Sequence, residues 1–288
     1  MKLLTEVKND QIGIRICLKD KIMVLGSCFA DNIGAHMSDA GFNVCVNPFG
    51  TLYNPASVLS AMQRLETGEP FSLADCAEMG AGAGLVCSFS HHTSFARPGA
   101  EDFLAVANSR LAEASAFWNT CNKVIITLGT AFVWERRDGG GIVSNCLKRP
   151  ASEFTHRMLS LDETASLLQQ MSGFGKQIIF TVSPIRHLGD GAHANTLSKA
   201  TLHLAVEHLT QTHQSCDCAY FPAYEILADE LRDYRFYAED LVHPSPAAIS
   251  YIWEKFVEAA VPSSDREDIK ANEKASRHAR HRNLRQED

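Results

Sequence analysis

Short, largely apolar runs alternate with longer segments whose apolar residues recur at helical spacing. The short runs are Lys21–Leu25 (KIMVL), Asn43–Val46 (NVCV), Lys123–Leu128 (KVIITL), Gln177–Val182 (QIIFTV) and Ala219–Phe221 (AYF). Continuous apolar strands, without polar alternation, suit a parallel sheet covered on both faces. Helices are predicted over Ala30–Ala40, Asn54–Leu65, Glu101–Trp118, Leu161–Met171, Asn195–Gln211 and Pro246–Ala260. Their ends carry the expected chemistry. Gly41 follows the first as a C′ glycine, Asn54-Pro55 opens the second as cap and first-turn proline, and Ser160 with Glu163 forms a capping box. Strand–helix alternation of this kind predicts an α/β fold with right-handed crossovers. Five strands fit a flavodoxin-like, three-layer α/β/α arrangement around a parallel sheet of order 2-1-3-4-5.

Two stretches fall outside the alternation. Residues 67–100 are rich in Gly, Ser and Ala, and residues 134–160 contain WERRDGGGIVSN, a hairpin pattern with Asp138-Gly139 at its turn. Both are expected to be insertions that wall a pocket. One domain is expected over 1–262. From Ser263 to Asp288 the chain is polar and charged, which predicts a disordered or frayed helical tail.

Composition narrows the function classes. The chain has 288 residues, of which 45% are hydrophobic, and a formal net charge of -7. That length buries a core without disulfides or metals. The negative balance argues against nucleic-acid or anionic-membrane partners. No run reaches the length of a membrane span, and the N-terminal Leu3-Leu4 is too short for a signal peptide core. Nine cysteines without framework spacing read as reduced thiols, Cys216-Asp217-Cys218 included, so a cytoplasmic location is expected.

The candidate chemistry lies at the ends of strands. Ligands of open α/β sheets bind beyond the carboxyl ends, at the switch in strand order. Ser27, one glycine after the first strand, falls there. Its hydroxyl either caps the following helix or is presented as a nucleophile in the field of the helix N-terminus. Cys28 is a rival nucleophile at the helix start, where a thiol pKa can fall. With Ser27 facing the crevice, Cys28 is expected to pack inward. Far downstream, Ala238–Pro246 reads AEDLVHPSP, with Asp240 and His243 three apart just before the last helix. A nucleophile needs a base, and the base needs a carboxylate to hold its tautomer.

A Gly-Ser turn after the first strand and D-x-x-H before the last helix together resemble the SGNH (GDSL-like) hydrolase superfamily. Within it the chain is similar to the GSCFA-domain family, whose string stands intact as Gly26-Ser27-Cys28-Phe29-Ala30. NPFGTLYNP, ITLGTAFVWE, SNCLKRP, SPIRH and RDYRFYAEDLVHPS add to the likeness, which runs from about residue 20 to 260. The resemblance implies Ser27 as nucleophile, His243 as general base and Asp240 as its orienting carboxylate. It also implies an oxyanion hole made by the nucleophile's own N–H, a glycine N–H after the second strand and an asparagine amide after the third. Gly50 fits the glycine. The third donor would fall on Gly129-Thr130-Ala131, and Ala131 has no amide; the Thr130 hydroxyl or Asn145 from the inserted hairpin are the substitutes. The implied activity is hydrolysis of O-acetyl or other short acyl esters through an acyl-enzyme, without a cofactor. O-acyl transfer and a catalytically silent carbohydrate-binding module are the alternatives. The partner is then a small-molecule or carbohydrate acyl ester.

Four further residues are candidates for substrate contact: His91 and Trp134 in the two insertions, and Arg186 and His187 after the fourth strand. His187, Asp190 and His193 match no zinc spacing, and no metal is expected.

Overall fold

The computed structural model describes residues 4–8, 12–80, 82–212 and 217–284. Cys216, Leu3 and the last four residues of the tail lie outside the described residues. The elements are β1 (Lys21–Gly26), α1 (Cys28–Asp39), β2 (Asn43–Val46), α2 (Pro55–Thr67), β3 (Ala77–Glu78), β4 (Val86–Cys87), α3 (Ala100–Trp118), β5 (Lys123–Leu128), β6 (Phe132–Arg136), β7 (Gly141–Val143), β8 (Phe154–Met158), α4 (Leu161–Ser172), β9 (Gln177–Val182), α5 (Ala192–Thr212), β10 (Cys218–Tyr220), a single turn α6 (Ala223–Glu225), α7 (Pro246–Ala260) and α8 (Arg266–Leu284). The central sheet has five strands in the order β10-β9-β5-β1-β2, every pair parallel. Counted along the chain this is 2-1-3-4-5, the doubly wound order the apolar runs predict.

Strand side chains alternate between the two faces, so each apolar run feeds two cores. Ile22 and Val24 of β1, Ile125 of β5 and Ile179 of β9 pack with Phe29, Ile33, Ile252 and Trp253 beneath α1 and α7. Met23, Leu25, Ile126, Leu128, Ile178 and Phe180 face Val58, Leu111, Leu168 and Leu202 from α2, α3, α4 and α5. Helix starts follow the sequence signals. Ser57 N–H donates to Asn54 Oδ1 at 2.9 Å, and the Ser160/Glu163 capping box is formed.

The insertions make their own small sheets. β3 and β4 pair antiparallel in the first. In the second, β6 pairs with β7 as the predicted hairpin and also with β8 on its other side, a third strand that alternation alone does not reveal. The polar tail carries α8. Ile269 is buried in the α1/α7 core, and Asn272, Ser276 and Arg280 bond to Ala40 and Asp39 at the end of α1. Among the described residues no helix is long and apolar enough to cross a membrane.

The β1–α1 turn depends on Gly26. Its φ is 134°, and an added Cβ would stand 2.2 Å from the Thr127 carbonyl oxygen. Gly26→Ala therefore meets both a forbidden φ and a backbone clash. It is expected to lower unfolding stability by about 3 kcal/mol, read from the denaturant midpoint.

Candidate active site

The carboxyl ends of β1, β5 and β9 and the loop before α7 meet at one crevice edge. Lys199 of α5 ties two of them together. Its buried ammonium donates to the Gly129 carbonyl at 2.6 Å and the Ser183 carbonyl at 2.7 Å, just past β5 and β9. Burial without a carboxylate partner pushes the Lys199 pKa down to about 7.

The D-x-x-H loop is braced before it reaches the crevice. Asp240 Oδ1 accepts from Val242 N–H and His243 N–H, each at 2.9 Å, and Leu241 adopts a left-handed φ of 56° between them. Arg186 adds its backbone N–H to the Val242 carbonyl and its guanidinium to the Leu241 carbonyl. Asp240 Oδ2 stands 2.6 Å from His243 Nδ1. The His243 backbone N–H, then its ring, then Val242 N–H hold the Asp240 carboxyl down at about 2. An ionised Asp240 accepts only, so Nδ1 carries the proton and Nε2 presents its lone pair outward.

That lone pair faces Cys28. Cys28 Sγ lies 3.7 Å from His243 Nε2. Ser27 is turned the other way. It is fully buried, its Oγ lies 3.2 Å from Thr127 Oγ1, and it accepts the Phe29 N–H as the N-cap of α1. The Ser27 N–H is also held, by Thr127 O and Oγ1 at 3.1 Å each. The structure thus brings Asp240 and His243 to Cys28 and leaves Ser27 as a cap, reversing which of the two neighbours faces the base. The reason is the turn itself. With Gly26 at a positive φ and Ser27 extended, residue 27 points back onto β5, and the crevice side falls to the first residue of the helix.

Burial pushes the Cys28 thiol above its ordinary pKa, as does the nearby Asp31 carboxylate; its own backbone N–H and the Tyr53 hydroxyl pull it back. The thiol is therefore protonated at neutral pH and needs a base before it can attack.

Two of the implied oxyanion donors are engaged elsewhere. The Gly50 N–H closes a turn onto Asn47 O at 2.8 Å. Thr130 Oγ1 lies 2.9 Å from Ser198 Oγ, on α5, and accepts the Phe132 N–H. Asn145 Oδ1 accepts the Leu147 N–H within its own loop. No hydrogen bond joins the Gly50 N–H, the Thr130 hydroxyl or the Asn145 amide to Ser27 or Cys28 among the described residues.

Of the four candidates for substrate contact, only His187 joins the crevice. Its ring meets Tyr53 edge-on at 5.7 Å, and its Nε2 would lie 3.0 Å from a Cβ at Gly129. Burial, then the positive charge of Lys199 and the His243 ring, lower its pKa to about 4, so the imidazole is neutral. Arg186 braces the Asp240–His243 loop as described and lies 5.8 Å from the Tyr237 ring centroid. His91 is fully buried, bonded to Ser88 Oγ and ringed by Phe49, Phe71, Phe95 and Phe103, where no substrate can reach it. Trp134 is 36% exposed on the three-stranded sheet and stacks on His156 at 4.1 Å. His156 in turn pairs with Asp190, which draws that carboxylate away from His187. Among the described residues no cluster of three His, Cys, Asp or Glu side chains could hold a metal ion.

Two participants escape a sequence reading. Lys199 is one lysine on an amphipathic helix, with no local signal. Tyr53 stands inside NPFGTLYNP, yet only the folded loop shows its carbonyl accepting the Gly129 and Thr130 N–H groups past β5.

The model of the GSCFA family matches residues 21–256. No curated protein matches. Among solved structures, one described as a "putative acylhydrolase" from Bacteroides fragilis NCTC 9343 aligns at 9% identity and a TM-score of 0.42, covering 89% of this chain and 91% of that one.

Proposed function

The chain belongs to the GSCFA family, and from that membership and the geometry of its crevice we propose that it is an acyl-ester hydrolase whose nucleophile is Cys28. The observation that carries this reading is the line Asp240–His243–Cys28: 2.6 Å from carboxylate to Nδ1, then 3.7 Å from Nε2 to sulfur. It is the arrangement of nucleophile, base and orienting acid that acyl transfer requires, with a thiol in the first place.

The reaction runs in two halves. His243 Nε2 takes the thiol proton as Sγ bonds to the acyl carbon, and the carbonyl π electrons move to oxygen. The Cys28 N–H, in the first turn of α1, donates to that oxyanion, aided by the positive end of the helix dipole. The oxyanion collapses, the carbon–oxygen ester bond breaks, and the alcohol leaves with the proton from His243. Water then gives a proton to His243 and its oxygen to the thioester carbon, and the carboxylic acid departs as the thiol is reprotonated. An alcohol in place of water in the second half gives acyl transfer by the same residues.

Iodoacetamide tests the assignment. Treatment is expected to stop p-nitrophenyl acetate turnover in step with carbamidomethylation of the peptide bearing Cys28. Substrate present in excess should protect both. Full turnover by a chain quantitatively alkylated at Cys28 would sink the proposal.

A further inference from the structure

The two insertions close on each other, and between them and α2 they leave a cavity of about 430 Å³. Hydrogen bonds stitch its walls together. Ser144 N–H donates to the Phe89 carbonyl at 2.8 Å, Gly80 N–H to the Leu147 carbonyl at 2.9 Å, and Arg149 Nη1 to the Glu78 carbonyl at 2.9 Å. None of Cys28, His187, Asp240 and His243 lines this cavity, so it is distinct from the crevice. Its volume lies within the range of pockets that bury most of a small ligand.

The charged groups of the walls are already spent on one another. Arg136 pairs with Asp138 and lies 4.5 Å from the Phe89 ring centroid. Arg149 holds both oxygens of Glu153, at 2.6 and 3.3 Å, and Arg64 pairs with Asp75 at 3.4 Å. An anion entering the cavity meets these carboxylates and a cation meets the guanidiniums, so neither sign is favoured. What the walls offer a ligand is hydroxyl groups. Ser57, Ser60, Ser88, Ser90 and Ser144 all line the cavity. Ser88 Oγ is fixed at 2.6 Å from His91 Nδ1. Ser57 is 2% exposed, and its Oγ has no hydrogen-bond partner among the described residues. A buried hydroxyl left in that state is costly until something bonds to it.

We propose that this cavity is a second ligand site and that it binds a neutral saccharide. A serine hydroxyl is one donor and two acceptors, and the hydroxyls of a sugar ring match that inventory without bringing a charge. Phe89 and Ile142, which also line the cavity, give the C–H face of the ring an apolar support. The ion pairs hold the walls in place before the ligand arrives, so little ordering is left to offset the bonds formed. Which residue is the nucleophile has no bearing on this site.

The test uses the full chain, with maltose, cellobiose and chitobiose as neutral probes and glucuronic acid as the charged one, read by saturation-transfer NMR and titration calorimetry. At least one neutral probe is expected to bind with a Kd below about 10 mM, and about tenfold or more tighter than glucuronic acid. Ser60→Trp, at an exposed position of α2, should fill the cavity and weaken that binding by more than about tenfold with Tm unchanged. Ser57→Ala removes a hydroxyl that finds its partner only in the ligand. It should weaken binding about three- to tenfold without lowering the denaturant midpoint, which loss of a hydroxyl bonded within the protein would lower. Alkylation of Cys28 by iodoacetamide should leave the affinity unchanged. Binding of none of the three disaccharides overturns the inference. So does binding that survives both substitutions, or glucuronic acid held as tightly as the best neutral probe. Binding lost on alkylation of Cys28 overturns it too, since the sugar would then sit in the crevice.

Discussion

Cys28→Ala is expected to abolish p-nitrophenyl acetate turnover, a loss of at least about 10⁴ in kcat, since removal of the attacking atom leaves only binding and hydrogen-bonding groups. Ser27→Ala should keep turnover within about tenfold of the wild type. The contrast follows from direction. Cys28 Sγ faces the base at 3.7 Å, whereas Ser27 Oγ is sealed against Thr127 and caps α1. The cost of Ser27→Ala falls on stability instead. It removes a cap and one of the two bonds that Ser27 makes to the buried Thr127 hydroxyl, together about 1–2 kcal/mol. Cys28→Ser should lie between the two, because a hydroxyl is a poorer acid than a thiol and His243 must pull harder to free it. Turnover in Cys28→Ala together with its loss in Ser27→Ala would restore the serine as nucleophile.

Asp240→Asn is the second large effect, a loss of about 10³–10⁴ in kcat with the fold intact. The amide oxygen of asparagine can still accept the Val242 and His243 N–H groups, so the turn survives. Its NH₂ group, however, meets Nδ1 as a donor. The imidazole then takes the other tautomer, and Nε2 confronts the thiol with a proton instead of a lone pair. His243→Ala should be at least as severe. The pH dependence has a fixed sign. The Asp240 pKa is depressed to about 2, so its stabilising contacts are complete above the ordinary carboxylate value of about 3.9 and are lost only as pH falls through about 2. A loss of activity in the wild type between pH 4 and 7 is therefore not protonation of Asp240. The measurement is kcat/KM against pH for both proteins. A pH-dependent return of Asp240→Asn to wild-type rates would refute the tautomer argument.

The fold was readable because it is written in local patterns. Asn43–Val46, Lys123–Leu128 and Gln177–Val182 form strands over the predicted residues, and Pro246–Ala260 is the predicted helix. Apolar continuity demands burial on both faces, and only helix-covered parallel strands meet that demand with short loops. Strand β8 was not legible: Phe154–Met158 (FTHRM) has too few apolar positions, and it forms by pairing with β6. The pairing of Asp240 with His243 could be anticipated, since a spacing of three across a tight turn leaves the two side chains little choice.

What the sequence determined by itself is the set of pieces: a doubly wound sheet, a Gly-Ser-Cys turn at its switch point, and a D-x-x-H loop ahead of the last helix. Tertiary structure decided which neighbour meets the base, because that depends on the φ of Gly26 and the extended backbone of Ser27, and adjacent residues at a helix start diverge with small changes in those angles. It also buried His91 among aromatic rings, out of reach of a substrate, and turned the Gly50 N–H and the Thr130 hydroxyl to other partners. Hydrogen-bonding groups on loops are spent on whichever partner the packed chain brings within reach, and the Tyr53 carbonyl meets the Gly129 and Thr130 N–H groups only because the loop after β2 folds over the end of β5.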